Sequence, residues 1–140
     1  MKNRHHTVPL AMTFVVMTGC AVSPHGRVME SASAVELRSY QSRVFETADR
    51  RQTLRTVIAT LQDLDFVIDK ADATLGSISA TKLAGYRMRI TVTVRPRGTA
   101  ALLVRANAQH ELSAVEDPEP YQNFFAALEK TMFLTAQAVD

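Results

Sequence analysis

Tyr86-Arg87-Met88-Arg89-Ile90-Thr91-Val92-Thr93-Val94-Arg95 is the stretch from which the fold can be read. Tyr86, Met88, Ile90, Val92 and Val94 alternate with Arg87, Arg89, Thr91, Thr93 and Arg95. A strict period of two describes a strand with one buried face and one wet face. Pro96-Arg97-Gly98 supplies a turn, and Ala100 to Gln109 forms the partner strand. In that partner Leu102, Val104, Ala106 and Ala108 share one face, while Leu103, Arg105, Asn107 and Gln109 share the other. The two strands make a β-hairpin, and the other elements are placed around it.

Upstream, Phe66-Val67-Ile68 begins a strand, Asp72-Ala73-Thr74-Leu75-Gly76 reads as a hairpin loop, and Ile78-Ser79-Ala80-Thr81 continues as the next strand. Gly76 can take positive φ there without a Cβ penalty. Ala84-Gly85 turns the chain into the central hairpin. Before these strands, Leu54, Val57, Ile58, Leu61 and Leu64 recur at helical spacing. Asp49 with Gln52 three residues on fits a capping box at the start of that helix, which should end near Asp63 or Leu64. Arg50, Arg51 and Arg55 fall off its apolar stripe. Tyr40 to Glu46 is the first strand.

Downstream, His110 to Glu116 reads as a polar loop, and Asp117-Pro118-Glu119-Pro120 announces a final helix. Asp117 can cap it, and both prolines suit a first turn whose amides lack helical acceptors. Tyr121, Phe125, Leu128, Met132, Ala136 and Val139 trace a buried stripe that Phe124 and Phe133 widen. The order is strand, helix, four strands, helix. It predicts an α+β domain with a five-stranded antiparallel sheet (β-α-β-β-β-β-α) and two helices packed on one face.

The N-terminal end has a different character. Met1-Lys2-Asn3-Arg4-His5-His6 is basic, Thr7 to Val16 is mostly apolar, and small Thr18-Gly19 precede Cys20. This is the pattern of a secretory signal peptide. It is too short to span a bilayer, which takes about 20 apolar residues. Cys20 is the only cysteine of the chain, so no intrachain disulfide can form. From Ala21 to about Leu37 the sequence is Ser/Ala-rich with Pro24 and Gly26, and reads as a tether able to reach roughly 55 Å when fully extended. The expected organisation is residues 1–19 as a cleaved signal, 20–37 as lipidated Cys and tether, and 38–140 as a single α+β domain. Loss of Lys2 and Arg4 with the signal reduces 16 basic residues to 14, against 14 acidic ones. That balance gives no field-driven attraction to nucleic acid.

Met17-Thr18-Gly19-Cys20 resembles the lipobox of bacterial lipoproteins, with Met17 where Leu is usual and Thr18 where Ala or Ser is usual. The resemblance implies cleavage between Gly19 and Cys20, a diacylglycerol on the Cys20 thiol and an acyl chain on its new amino group, with no other cofactor. Several acyl chains together anchor stably, at about 0.8 kcal/mol per buried methylene. Ala21, rather than the Asp that retains lipoproteins on the inner membrane, implies the outer membrane with periplasmic exposure. The order of elements resembles the helix-grip (TATA-binding-protein-like) folds, in which a long final helix lies across a curved sheet. Such domains follow a lipidated cysteine and a tether in the C-type lipoprotein of the barrel-assembly machine, although that protein has two of them. By analogy the resemblance implies a partner-binding domain.

No catalytic set emerges from the residues. His5 and His6 lie in the signal, His25 in the tether, and His110 with Glu111 lacks further ligands for a metal. No serine sits in a nucleophile elbow, and there is no glycine-rich phosphate loop. Asp63, Asp65, Asp69 and Asp72 straddle a helix end and a strand, as solvated turn residues do. The wet face of the hairpin is more informative. Arg87, Arg89, Arg95 and Arg105 would project from one surface away from the helices, and arginine favours bidentate contact with carboxylates or phosphates. An ordinary solvated sheet face uses the same residue types. The expected function is a non-catalytic, lipid-anchored accessory protein that docks onto an envelope membrane complex for barrel assembly, secretion or export. The alternative is a small carrier holding a lipid or other apolar ligand between the C-terminal helix and the sheet.

Overall fold

The computed structural model of the chain describes residues 34–137 apart from position 86. The expectations placed on the signal segment, Gly19 and Cys20, most of the tether, Tyr86 and Val139 lie outside the described residues, as does the side chain of Ala136. The central hairpin forms as its alternation predicts. Strand β4 (Met88–Arg97) pairs antiparallel with β5 (Ala101–His110), with Val92 opposite Ala106 and Val94 opposite Val104. Strands β2 (Val67–Asp72) and β3 (Ser77–Lys82) continue the meander on one side of β4, and β1 (Ser42–Phe45) pairs with the free side of β5. The order across the sheet is β1-β5-β4-β3-β2, all antiparallel. The protein is therefore an α+β domain on an antiparallel sheet.

Helices α2 (Arg50–Asp63) and α3 (Glu119–Gln137) bury their apolar stripes with one face of that sheet. Val57 and Leu61 of α2, Tyr121, Phe124, Phe125 and Leu128 of α3, and Ile78, Ile90, Val92, Val94, Leu102 and Val104 of the strands make one core. Threonines at 53, 56 and 60 are also buried in α2, and each hydroxyl donates to the carbonyl four residues back. An apolar-stripe reading passes over these threonines because their polar atoms are satisfied within the helix itself.

Four local expectations are corrected. Residues 34–40, read as tether up to Leu37 and as strand from Tyr40, form a helix, α1, and the strand begins at Ser42. Its Leu37 and Tyr40 pack on the core, and the Tyr40 hydroxyl donates to Glu36 Oε1 at 2.7 Å. Of the described residues of this helix only Leu37 and Tyr40 pack on the core, while Val35 is exposed, so the sequence shows no clear period there. The hairpin turn comes later than Pro96: β4 runs through Arg97, because past Val94 it has no β3 residue beside it and a proline costs no ladder bond on that side. The loop after His110 contains a short strand, β6 (Ser113–Ala114), paired with β5 through a turn in which Glu111 takes φ 53°. The Asp49 cap forms by half. Its Oδ1 accepts from Gln52 N–H at 2.8 Å, while Asp49 N–H donates to Thr47 Oγ1 and Gln52 Oε1 accepts from Arg55 instead of reaching back.

Two polar side-chain groups, on Arg50 and Tyr121, hold elements together. Arg50, at the start of α2, donates to the carbonyls of Val94 (3.2 Å) and Thr74 (3.1 Å), stitching the helix to β4 and to the β2–β3 turn. Gly76, with φ +66°, lies beneath it: a Cβ there would sit 2.1 Å from Arg50 Nη2 and 2.6 Å from the Val94 carbonyl oxygen. The buried Tyr121 hydroxyl donates to Val115 O (2.7 Å) and accepts from Ala108 N–H (3.2 Å) and Gln41 Nε2 (3.3 Å). One phenol thus ties α3, β5, the β6 connection and the entry to β1.

Candidate functional site

With both long helices on one face of the sheet, the register puts the other side chains of β4 and β5 on the opposite face. Arg89, Thr91, Thr93 and Arg95 lie there from β4, and Leu103, Arg105, Asn107 and Gln109 from β5. Ser42 and Val44 of β1 extend the same surface, as do Ser77, Ser79 and Thr81 of β3. No helix or strand covers this face among the described residues. Thr and Arg at alternate positions keep it extended and hydrated, while the partners of the same strands fill the core.

The four arginines expected to form one docking surface do share this side of the sheet, but they divide into two groups. Arg87 and Arg89 border an open depression of about 350 Å³ with Thr81, Glu111 and Leu112. That group is partly neutralised within the molecule. Arg89 Nε is 3.9 Å from Asp69 Oδ2, and Asp69 also accepts from Thr81 Oγ1 at 2.6 Å. Arg95 and Arg105 border a second depression, of about 470 Å³, with Thr93, Leu103 and Asn107. Among the described residues neither of these two guanidinium groups has a carboxylate partner.

Arg97 belongs with the second group. Its register opposite Ala101 puts it on the same face as Arg95, two residues along β4. Reading Pro96-Arg97-Gly98 as a turn hides it. The signal that could have found it is the alternation itself, which runs unbroken from Thr91 through Thr93 and Arg95 to Arg97.

A third concavity lies on the helix side, at the end of the sheet where α3 begins. It has a volume of about 370 Å³, with an apolar floor of Phe66, Met88, Ile90 and Phe124. Lys82, His110, Glu119 and Asn123 supply its polar rim. Lys82 Nζ donates to Leu64 O at 2.9 Å, approaches Asp65 Oδ2 at 4.0 Å and stands 5.7 Å from the centre of the Phe66 ring. Further along α3, Phe124 and Phe125 are buried, whereas Phe133, expected to widen the buried stripe, is 64% exposed. Met132 beside it still packs on the core, so Phe133 projects from the outward side of the helix.

His110 does not meet a set of metal-ligating side chains: among the described residues no three His, Cys, Asp or Glu groups converge. The aspartates at 63, 65, 69 and 72 are likewise dispersed, with Asp65 turning the chain at φ 64° after α2 and Asp72 accepting from Leu75 N–H. Tyr40 is the one titrating group among the described residues with a clear shift. Its hydrogen bond to Glu36 holds the phenol above its ordinary range, with desolvation and the Glu36 charge adding to it. Among the described residues no helix is long and apolar enough to cross a membrane. No protein-family model matches the chain, and no curated protein matches it.

Proposed function

We propose that the chain is a non-catalytic accessory lipoprotein of the outer membrane, facing the periplasm and docking onto a larger envelope complex of the barrel-assembly, secretion or export kind. Acyl chains on Cys20 hold it to the membrane, and the sheet face opposite the helices meets the partner. The observation that carries the docking role is the pair Arg95 and Arg105, exposed around one depression with no carboxylate partner among the described residues. Guanidinium groups are enriched in protein interfaces, where they form planar bidentate contacts. The reading predicts co-purification with an integral membrane complex, and loss of it both in Cys20→Ala and in Arg95→Glu/Arg105→Glu. Undiminished co-purification in both variants would rule the reading out.

The carrier alternative is supported by the 370 Å³ concavity at the start of α3, whose apolar floor and few polar rim groups suit a small amphiphile. Native mass spectrometry of protein released gently from membranes tests it. A bound apolar mass that disappears in Ile90→Trp supports a carrier, and a spectrum of bare polypeptide contradicts one.

A further inference from the structure

We infer that the docking surface is the Arg95–Arg97–Arg105 half of the outer sheet face, and that its occupant is a protein segment carrying two carboxylates about one helical turn apart. This rests on the docking reading above and narrows it to one half of the face and one partner chemistry. Arg95 faces Leu103 and Arg105 faces Thr93 across the β4–β5 ladder, so the two arginines are diagonal neighbours. Diagonal positions on an antiparallel pair are about 7–8 Å apart. Carboxylates at i and i+4 of a helix project from Cβ atoms about 5–6 Å apart, and those at i and i+2 of a strand are about 6.6 Å apart. The flexible arginine stems take up the remaining difference, so either segment can engage both forks at once. Arg97 stands two residues along β4 for a further acidic contact.

The acidic residues near this half do not neutralise it. Asp72, on the same face, lies on β2, two strands from β4, and its Oδ1 accepts from Leu75 N–H. Glu46, just past β1, makes no ion pair among the described residues. Arg87 and Arg89 differ, because Asp69 and Glu111 already stand beside them. An external carboxylate gains most where no internal one competes.

The apolar part of the patch favours protein over bilayer. Val44 of β1 lies directly opposite Leu103 of β5, and Val44 is 43% exposed. This pair lies flush within the sheet beside a depression, so it cannot wedge between headgroups as residues on a protruding loop do. A flush apolar pair flanked by arginines is the composition of an interface centre with a charged margin. The partner segment is therefore acidic and amphipathic, setting one apolar side chain on Val44–Leu103 and its carboxylates on Arg95 and Arg105.

The test places a photoreactive residue at position 103, and separately at 44, in the full-length lipidated chain in intact cells. Melting curves of both variants are compared with the parent. The expected adduct maps to a protein segment with two carboxylates within one helical turn or at alternate strand positions. It falls by more than about tenfold in Arg95→Glu/Arg105→Glu, since opposed like charges are strongly unfavourable. It returns when the two partner carboxylates are changed to arginine. An adduct indifferent to the arginine reversal, one on a segment without such carboxylates, or one on lipid alone would overturn the inference. So would arginine-dependent binding of the purified chain to phosphatidylglycerol vesicles without a protein adduct. Crosslinking to a membrane complex from position 81 but from neither 103 nor 44 would leave docking standing and refute this half-face. Loss of the chain from the membrane fraction would defeat the anchoring reading as well.

Discussion

Replacing Tyr121 by Phe removes one buried oxygen and leaves the ring packing intact. The hydroxyl is the meeting point of three hydrogen bonds, with Val115 O, Ala108 N–H and Gln41 Nε2. Tyr121 has no exposed surface, so water cannot take its place without opening the core. Ala108 N–H points away from β4, as Ala106 N–H does in donating to Gln41 O, and would be left without an acceptor. A net hydrogen bond is worth about 0.5–1.5 kcal/mol, and a buried group left unsatisfied costs about 1–3 kcal/mol. Relaxation of Gln41, itself 7% exposed, recovers part of this. The expected loss is about 2–4 kcal/mol, a large share of the 5–15 kcal/mol typical of a small domain. Urea unfolding followed by far-ultraviolet circular dichroism should show the midpoint falling with an unchanged slope. Amide exchange should show Ala108 losing protection more than Val92 does. A stability change under about 0.5 kcal/mol with Ala108 still protected would refute the role given to this phenol.

Other substitutions test the same architecture. Gly76→Ala forces a Cβ against Arg50 and the Val94 carbonyl at positive φ, and thermal unfolding should report a loss of about 1–3 kcal/mol; an unchanged midpoint would contradict that packing. Asp49→Ala removes the acceptor for Gln52 N–H and should cost about 1 kcal/mol, while Asp49→Asn restores most of it; equal stability of all three proteins would show that the cap is idle. Tyr40 should titrate above the ordinary tyrosine range by phenolate absorbance, returning toward it in Glu36→Ala, because the bond to Glu36 favours the neutral phenol. Its stabilisation is accordingly complete below the unfolded tyrosine pKa and fades as pH rises through the raised folded value. Coincident curves for the two proteins would oppose this.

The parts of the fold legible in the sequence are those where one periodicity acts alone. Met88 to Val94 alternate with Arg and Thr, and the buried face of β4 follows that alternation residue for residue from Met88 on. Leu54, Val57 and Leu61 likewise mark the side of α2 that enters the core. What escaped depends on contacts distant in the chain. Arg50 reads as a solvated helix residue, yet the carbonyls it binds come from residues 74 and 94. Tyr121 reads as one more apolar position, and its hydroxyl partners at 41, 108 and 115 are brought to it only by folding. The candidate site was legible as a set of residue types on one side of a strand pair. Its division into two halves was not, because that depends on Asp69, distant in the chain, which the folded sheet sets 3.9 Å from Arg89.

Anchoring by Cys20 is the claim on which the docking account depends most directly. Metabolic labelling of the full-length chain with a tagged palmitate tests it in one comparison. The account predicts a labelled protein in the membrane fraction and no label in Cys20→Ala. An unlabelled parent, or label that persists when the thiol is removed, would contradict it.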